Sequence, residues 1–327
     1  MARSITRRTW MLGAAAAPLL ACPARAQSGF PSRPIRIVIG FPPGGGIDIL
    51  ARLIAPKMSE RLGQPVVVEN RPGANGLIAT QGVVQSEADG HTILFGTTGN
   101  LAVNPVLYAG QPGMDMQRDF APLSQVASLG FVLVVNPSVK ANSLKELIDL
   151  AKANPGTMMF SSSGNGGLPH LSGELLNLQA GIRTQHVPYR GSAPAFTDLI
   201  SGQVNFMFDA LAIAQPHIEG NRLRAIATTG PKRMAALPNV PAANETLPKF
   251  EVVNWYAMAV RGGTPPAIIS RLQQEVARAL TQPDVAERAR TLGLDLVGST
   301  PEEFGRFQRE EIEKWGNVIR TASVKGE

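Results

Sequence analysis

The sequence predicts an α/β protein of two lobes with a ligand-binding cleft between them. Two glycine-rich loops, FPPGGGID (41–48) and SSSGNGGLPH (161–170), each follow a short apolar run and precede a helix-like segment. Apolar runs alternate with helix-like segments along the rest of the chain, a pattern typical of βαβ units and largely parallel sheets. A helix N-terminus behind a loop without bulky side chains exposes N–H groups, so each loop favours an anion such as a carboxylate.

The first part of the chain contains several predicted strands and one clear helix. The apolar run 35–39 predicts the first strand. A helix is predicted over 49–62, because Leu50, Leu53, Ile54 and Met58 fall on one face and Gly63 follows as a stop. Further strands are predicted at 66–69, 92–95 and 131–135.

Helix-start signals organise the middle and the end of the chain. Ser143 and Glu146 form a capping box, and Pro169 marks the start of the helix after the second loop. Apolar residues at four-residue spacing predict a helix around 268–280, and a second capping box at Thr300 predicts the last helix. Strands are predicted at 203–208, 224–228 and 255–260.

No linker separates two sequential domains, so the chain is expected to leave the first lobe and later return. The apolar segments 126–135 and 250–260 lie on either side of the middle third and predict the two crossing strands. This assigns residues 27–128 and 252–327 to lobe 1 and residues 129–251 to lobe 2. Closure about such a hinge is a common binding motion.

Residues 1–26 predict a signal peptide. Three arginines (Arg3, Arg7 and Arg8) precede the apolar stretch 10–22, which is too short to span a bilayer, and 24–26 offers small residues for cleavage. The segment TRRTW (6–10) resembles a twin-arginine signal, with an ordinary secretory signal as the alternative. The segment 19–22 also resembles a lipoprotein processing site, which would leave a lipid anchor on Cys22.

Composition argues against nucleic-acid binding and gives no support to catalysis. Once the four arginines of residues 1–26 are set aside, 27 Lys and Arg stand against 25 Asp and Glu, and no basic run is present. The sequence lacks a nucleophile elbow, an H-E-x-x-H motif and a P-loop, and its four histidines lack metal-ligand spacing. We therefore expect a monomeric binding protein without a cofactor or a metal.

Several residues near the loops are candidates for ligand binding, each with a structural alternative. Asp48 either contacts the ligand or, as we favour, interacts with the backbone N–H groups of its own helix. His170 either faces the cleft or anchors its turn. The hydroxyl and amide groups of 161–165 can donate to a carboxylate. Asp209 either lies at the edge of the cleft or caps the helix that follows.

Six motifs, taken together, resemble the extracytoplasmic solute receptors of the tripartite tricarboxylate transporters, the Bug family. They cover 34–46, 68–76, 89–96, 162–166, 186–191 and 202–209, in order along essentially the whole mature chain. The resemblance implies a periplasmic-binding-protein fold of type II-like form, with two mixed, mostly parallel sheets joined by a two-strand hinge. It also implies a periplasmic receptor that captures a small organic carboxylate and delivers it to membrane permease subunits.

The resemblance, read residue by residue, implies a set of ligand-binding positions in the loops of both lobes. They are Phe41, Pro43, Gly44, Gly45, Gly46, Asp48, Asn75, Gly76, Thr97, Thr98, Ser162, Ser163, Gly164, Asn165, Gly166, His170, Pro188, Tyr189 and Asp209.

Three positions depart from the pattern of the family. Gly40 stands where proline is common, Ile47 where a hydroxyl residue is common, and Gly167 where threonine or serine is frequent. The last two departures remove polar donors, so we expect a less polar carboxylate, aromatic or monocarboxylic, to bind better than citrate. Two other functions remain open: a periplasmic enzyme that is exported folded, and a sensor subunit that reports to a membrane kinase.

Overall fold

The computed structural model describes residues 29–326. The predicted signal segment, with Cys22 and both processing sites, lies outside the described residues. Within residues 29–326, no helix combines the length and the apolar character that crossing a membrane requires.

Elements of the first lobe come from both ends of the chain. The first group is β1 (Ile35–Ile39), α1 (Gly46–Leu62), β2 (Val66–Asn70), α2 (Leu77–Val84), β3 (Thr92–Thr97), α3 (Asn104–Leu107) and α4 (Met116–Asp119). The second group is β9 (Val253–Arg261), α9 (Pro266–Leu280), α10 (Pro283–Thr291), β10 (Asp295–Leu296) and α11 (Pro301–Thr321).

The elements between these groups build the second lobe, which the 16-residue strand β4 enters from the first. They are β4 (Phe120–Val135), α5 (Leu144–Ala153), β5 (Met159–Ser162), α6 (Leu168–Ala180), β6 (Gln185–Pro188), α7 (Ser192–Ser201), β7 (Phe206–Ala210), α8 (Leu211–Glu219) and β8 (Arg224–Thr228).

Two mixed sheets joined by crossing strands confirm the predicted α/β, two-lobed fold. The first sheet has the order β2-β1-β3-β9-β4, and the second continues from the other half of β4 through β7, β5 and β6. β1 pairs in parallel with β2 and β3, and β5 pairs in parallel with β6 and β7. The antiparallel pairs of the described residues all involve β4 or β9, the strands that join the sheets.

Strand directions bring the carboxyl ends of both sheets to the junction between the lobes. β1, β3 and β4 run in one direction, because β9 is antiparallel to both β3 and β4. β7 runs against β4, and β5 and β6 follow β7, so these three strands point back towards the first lobe. Ligands of open α/β sheets bind outside the carboxyl ends of strands, and here two such edges face each other.

Hydrogen bonds from Thr229 join the two crossing segments. Its hydroxyl accepts from Phe131 N–H at 2.7 Å and donates to Val252 C=O at 2.6 Å. Its backbone N–H donates to the Phe131 carbonyl, and its carbonyl accepts from Val252 N–H. Beside this point a Cβ on Gly130 would lie 2.8 Å from the backbone nitrogen of Gly230, so the segment that carries Thr229 packs directly against β4.

One apolar core extends through both lobes. It includes Trp255, Phe304 and Trp315 of the first lobe together with Phe160 and Leu171 of the second, all of them buried. α11 packs against β4 and also against α6. Separate smaller cores lie under α1 and α9 in the first lobe and under α7 in the second.

The structure also changes several predicted boundaries. α1 begins at Gly46, three residues before the predicted start, because the glycine loop itself supplies the first turn. β4 begins at Phe120 although only 126–135 was predicted, and its bulges near Pro122 and Gln125 hid the alternation. The predicted capping box at Thr300 is confirmed. At Ser143 the cap is present, but Glu146 bonds the N–H of Asn142 instead of completing the box. The lobe boundaries after residues 128 and 251 stay predictions.

Candidate functional site

The first glycine loop delivers an open helix N-terminus to the junction between the lobes. Gly44 has φ +92°, which favours glycine, and Gly45 occupies the N-cap of α1 without a side-chain cap. The first helical bond runs from Ile49 N–H to Gly45 C=O at 3.0 Å. The N–H groups of the preceding residues of α1 therefore have no partner within the helix and suit an anion.

Asp48 holds this loop from beneath. It is 2 % exposed, and its carboxylate accepts from Gly44 N–H at 2.9 Å, from Asn70 Nδ2 at 2.9 Å and from Arg52 Nε at 3.1 Å. Burial alone would raise the pKa of this carboxyl, but the bonds from Arg52, Gly44 and Asn70 outweigh burial and lower it. The Asp48 carboxylate is therefore turned towards its own loop. Of the two roles predicted for Asp48, the hydrogen bonds match the structural one and not direct ligand contact.

The turn after β2 packs against the first loop. Asn75 has φ +48° and Gly76 has φ +85°. Asn75 Nδ2 donates to Asn104 Oδ1 at 3.2 Å, and Asn104 Nδ2 donates to the Asn75 carbonyl at 3.0 Å. A Cβ on Gly40 would lie only 2.5 Å from the Gly76 Cα, so glycine at position 40 lets the two loops touch.

Thr97, the last residue of β3, and Thr98, which follows it, form hydrogen bonds within the protein instead of facing the open cleft. Thr97 bonds Asn100 Oδ1 through its backbone N–H at 2.6 Å and through its hydroxyl at 3.3 Å. Thr98 is fully buried and accepts from Trp255 N–H at 2.9 Å. Thr98 is therefore a contact to the returning strand β9.

The second loop is held by its own serine and by a histidine from the next strand. Ser162 Oγ donates to Gly164 C=O at 2.9 Å and lies 2.6 Å from His186 Nε2. Ser162 is fully buried, whereas Ser163 and Gly164 are half-buried and Asn165 is exposed. Residues 163–165 of the loop are therefore accessible to a ligand, whereas Ser162 is enclosed in the protein.

His170 anchors the turn that begins α6. Its Nδ1 accepts from Gly166 N–H at 3.1 Å, and its ring stacks on His186 with centroids 3.6 Å apart. Burial, with the nearby charge of His170 as the second cause, lowers the pKa of His186 to about 3. Gly167 is the N-cap of α6 and, like Gly45, provides no side-chain cap.

Three further predicted residues lie at the ends of β6 and β7. Pro188 is exposed, and the Tyr189 hydroxyl donates to Asp198 at 2.7 Å. Asp209 is 5 % exposed; its Oδ1 accepts from Ala210 N–H at 2.7 Å, while Oδ2 has no hydrogen-bond partner among residues 29–326. Burial raises the pKa of Asp209, and the Ala210 N–H offsets this only in part.

Phe41 and Pro43 complete the first loop at its entrance. Phe41 is half-buried against the core under α1, and its carbonyl accepts from Asn70 Nδ2 at 3.1 Å. Pro43 is exposed. The strand directions therefore place predicted residues of both lobes at facing edges, and the hydrogen bonds turn several of the side chains, notably those of Asp48, Thr98, Ser162 and His170, into the protein.

Tyr256 of β9 lies at the first loop, a position that no sequence motif indicates. A Cβ on Gly46 would lie 3.1 Å from the Tyr256 hydroxyl oxygen. The alternation of β9 indicates only that Tyr256 shares a face of the strand with Asn254 and Met258. It does not indicate that α1 begins beside that face. Asn100 and Asn104, which fix the loops, lie outside every motif of the sequence, and Asn70 lies within the motif 68–76 without being a predicted site residue.

A cavity of about 1150 Å³ lies next to the carboxyl end of β7. It is lined by residues of both lobes, including Ser128 on β4, Leu211 and Gln215 on α8, and Arg290 on α10. None of the predicted binding residues lines it, although Ala210, which does, directly follows Asp209. Among the described residues, no group of three or more His, Cys, Asp or Glu side chains could hold a metal ion.

Comparisons with known proteins agree with this architecture. Residues 50–324 match the model of the family described as tripartite tricarboxylate transporter family receptor. Protein BugT of Bordetella pertussis is 37% identical over 308 residues, covering 94% of each chain. Two solved structures from Rhodopseudomonas palustris are also similar. Rpa4515 with adipate is 34% identical, with TM-score 0.75 over 90% of this chain and 99% of that one. MatC with bound malate is 31% identical, with TM-score 0.71 over 89% and 100%.

Proposed function

Because this chain belongs to the tripartite tricarboxylate transporter receptor family, we propose that it is a periplasmic receptor. It binds a small organic carboxylate between its lobes and passes it to the membrane permease subunits of such a transporter. Support for the ligand class comes from the two similar structures, whose ligands, adipate and malate, are both dicarboxylates.

The observation that carries the proposal is the pair of open helix N-termini at facing strand ends. α1 and α6 both begin after a glycine N-cap that offers no side-chain acceptor. The side chains of Ser143 and Thr300 cap α5 and α11, whereas α1 and α6, like α2 and α7 to α10, have no side-chain cap. Helix N-termini without an internal acceptor attract carboxylates through their N–H groups and the helix dipole.

In the proposed site, the predicted residues divide into two roles. Backbone groups of 45–46 and 163–165 contact the ligand, since these residues are exposed or half-buried. Asp48 and His170 act indirectly by fixing the loops through Gly44 N–H and Gly166 N–H. The ligand then draws the lobes together about the crossing strands, and the loops of both lobes enclose it.

The proposal extends to the kind of carboxylate. Ile47 is 4 % exposed and packs into the core under α1, and Gly167 has no side chain, so neither position offers a hydroxyl. A ligand with many polar groups would leave some of them without partners, which costs binding energy. We therefore expect an aromatic or monocarboxylic acid to bind more tightly than citrate. Calorimetry with citrate and benzoate compares them directly, and tighter citrate binding would contradict this part.

Export follows from residues 1–26, which we propose to be a twin-arginine signal removed after Ala26. The alternative is a lipid anchor on Cys22. Mass spectrometry of the protein isolated from the periplasm distinguishes a chain that begins at Gln27 from one that begins at a lipidated Cys22. We expect the mature receptor to be a monomer.

Two other functions make different predictions. A periplasmic enzyme with a bound flavin or metal centre would show visible absorbance after purification. The Ser162–His186 contact does not favour that function, because Ser162 is fully buried and already donates to Gly164. A sensor subunit would bind the same ligand but pull down a membrane kinase instead of permease subunits.

A thermal-shift screen tests the central proposal. The mature protein is unfolded, freed of ligand, refolded, and mixed with mono-, di- and tricarboxylates, aromatic acids and their neutral amides. A ligand that binds only the folded state raises the melting temperature by mass action. A shift with one class of acid and not with its amides supports a carboxylate receptor. A folded protein that responds to no acid would contradict it.

A further inference from the structure

A hydroxyl group without a protein partner lies at the N-terminus of α1. Tyr256 is 8 % exposed, and its ring packs edge-on against Phe95 with centroids 6.4 Å apart. No group among residues 29–326 forms a hydrogen bond with its hydroxyl. A buried phenol usually has a partner, so an open one adjoining a cleft points to a partner that arrives from outside.

The position of this hydroxyl is fixed by the sheet and by a glycine. Tyr256 pairs with Thr97 of β3 on one side and with Ala127 of β4 on the other, in the middle of the first sheet. Gly46, the first residue of α1, lies directly against the hydroxyl, since a Cβ there would be 3.1 Å away. Any larger side chain at position 46 would cover the hydroxyl, so glycine keeps it open.

The polar groups near the Tyr256 hydroxyl that are free to bond a ligand are hydrogen-bond donors. The first N–H groups of α1 have no helical acceptor, and the Asp48 carboxylate is turned to Gly44, Asn70 and Arg52. Burial raises the pKa of Tyr256 to about 12, so the phenol keeps its proton at neutral pH and donates. An acceptor with negative charge matches this set, and hydrogen bonds to charged acceptors are stronger than neutral ones.

We propose that Tyr256 is a specificity-determining residue whose hydroxyl donates to the ligand carboxylate seated on the N-terminus of α1. It is the side-chain donor of the first lobe's half of the site, beside the backbone N–H groups of 45–46. This inference rests on the proposed function, because it names a donor within the same carboxylate site. It explains how a loop with no hydroxyl of its own, FPPGGGID, can still prefer a carboxylate to a neutral group.

The test compares Tyr256→Phe with two controls in the mature protein. Tyr108→Phe removes the hydroxyl of a tyrosine that lies beside Gly326 instead of beside Gly46. Phe95→Leu disturbs the packing of the Tyr256 ring but keeps its hydroxyl. Dissociation constants for adipate, malate and benzoate are measured by calorimetry, and ligand-free melting temperatures are recorded for each variant.

We expect Tyr256→Phe to weaken the best-bound acid about 10-fold or more with little change in the ligand-free melting temperature. Tyr108→Phe and Phe95→Leu should keep affinities close to wild type. Affinity of Tyr256→Phe within about twofold of wild type, or an equal loss in Phe95→Leu, would overturn the inference and leave the proposed function intact. If the wild-type protein binds no acid of the thermal-shift screen, the proposed function fails and the inference fails with it.

Discussion

The Trp255 indole N–H on β9 donates to Glu311 Oε2 on α11 at 2.9 Å. The same oxygen accepts from Trp315 at 2.9 Å, and Lys314 donates to Oε1 at 2.8 Å. Trp255 and Trp315 are fully buried. One buried carboxylate therefore fastens the last helix to a strand that crosses between the lobes.

Glu311→Ala should destabilise the protein by about 3–5 kcal/mol, because it leaves two buried indole N–H groups without an acceptor and creates a cavity. Glu311→Gln keeps an acceptor oxygen and should cost about 1–2 kcal/mol. Urea unfolding followed by tryptophan fluorescence measures both. Glu313→Ala, an exposed glutamate of the same helix, should change stability by less than about 0.5 kcal/mol. A Glu311→Ala variant as stable as Glu313→Ala would contradict the role given to this carboxylate.

Thr229→Val should destabilise the hinge by about 1–3 kcal/mol, since valine keeps the shape but leaves the N–H of Phe131 and the carbonyl of Val252 without their hydroxyl partner. The neighbouring Thr228 is a matched control, because its buried hydroxyl has no partner among the described residues. Thr228→Val should be neutral or stabilising. Chemical denaturation compares the two, and equal effects would show that the Thr229 bonds carry no net energy.

Asp48→Asn should weaken ligand binding and reduce stability at neutral pH, because the amide offers one acceptor where the carboxylate serves three donors. The pKa of Asp48 is lowered in the folded state from 3.8. Its contribution to stability is therefore present above pH 3.8 and is lost as pH falls through the lowered folded value. Unfolding free energies of wild type and variant should differ most above about pH 5 and converge in acid. A constant difference across this range would contradict the assignment.

Gly166→Ala should lower both stability and affinity. Gly166 has φ +68°, and a Cβ would lie 2.8 Å from Leu107 Cδ1 of the first lobe. Gly156 has φ +77° with open space around it, so Gly156→Ala measures the backbone cost alone, about 1 kcal/mol. We expect Gly156→Ala to keep the wild-type dissociation constant for the best acid and Gly166→Ala to raise it. Calorimetry checks this, and equal constants for both variants would show that the Gly166–Leu107 approach is irrelevant to binding.

Local signals in the sequence predicted the loops and several helix starts. The glycine-rich loops and the capping box at Thr300 depend on residues close in the chain, so their spacing is visible without a fold. The two-lobed arrangement could be inferred because two apolar crossing segments bracket the middle third of the sequence.

Contacts between distant residues could not be inferred in the same way. Asp48 bonds Asn70, 22 residues later, and Tyr256 reaches a glycine at position 46. Such pairs depend on which helix packs over which strand and on the register of the sheet. For the same reason the sequence could not show that Thr98 and Ser162 point into the protein rather than into the cleft.

The apolar core that α11 shares with α6 has a consequence for engineering this receptor. A chimera that joins the first lobe of one relative to the second lobe of another would cut through a single packed interior, not through a solvent-filled boundary. Exchanging specificity should therefore succeed more often by grafting the loops 41–48 and 161–170 than by exchanging whole lobes. A lobe exchange would need α11 and α6 to come from the same parent.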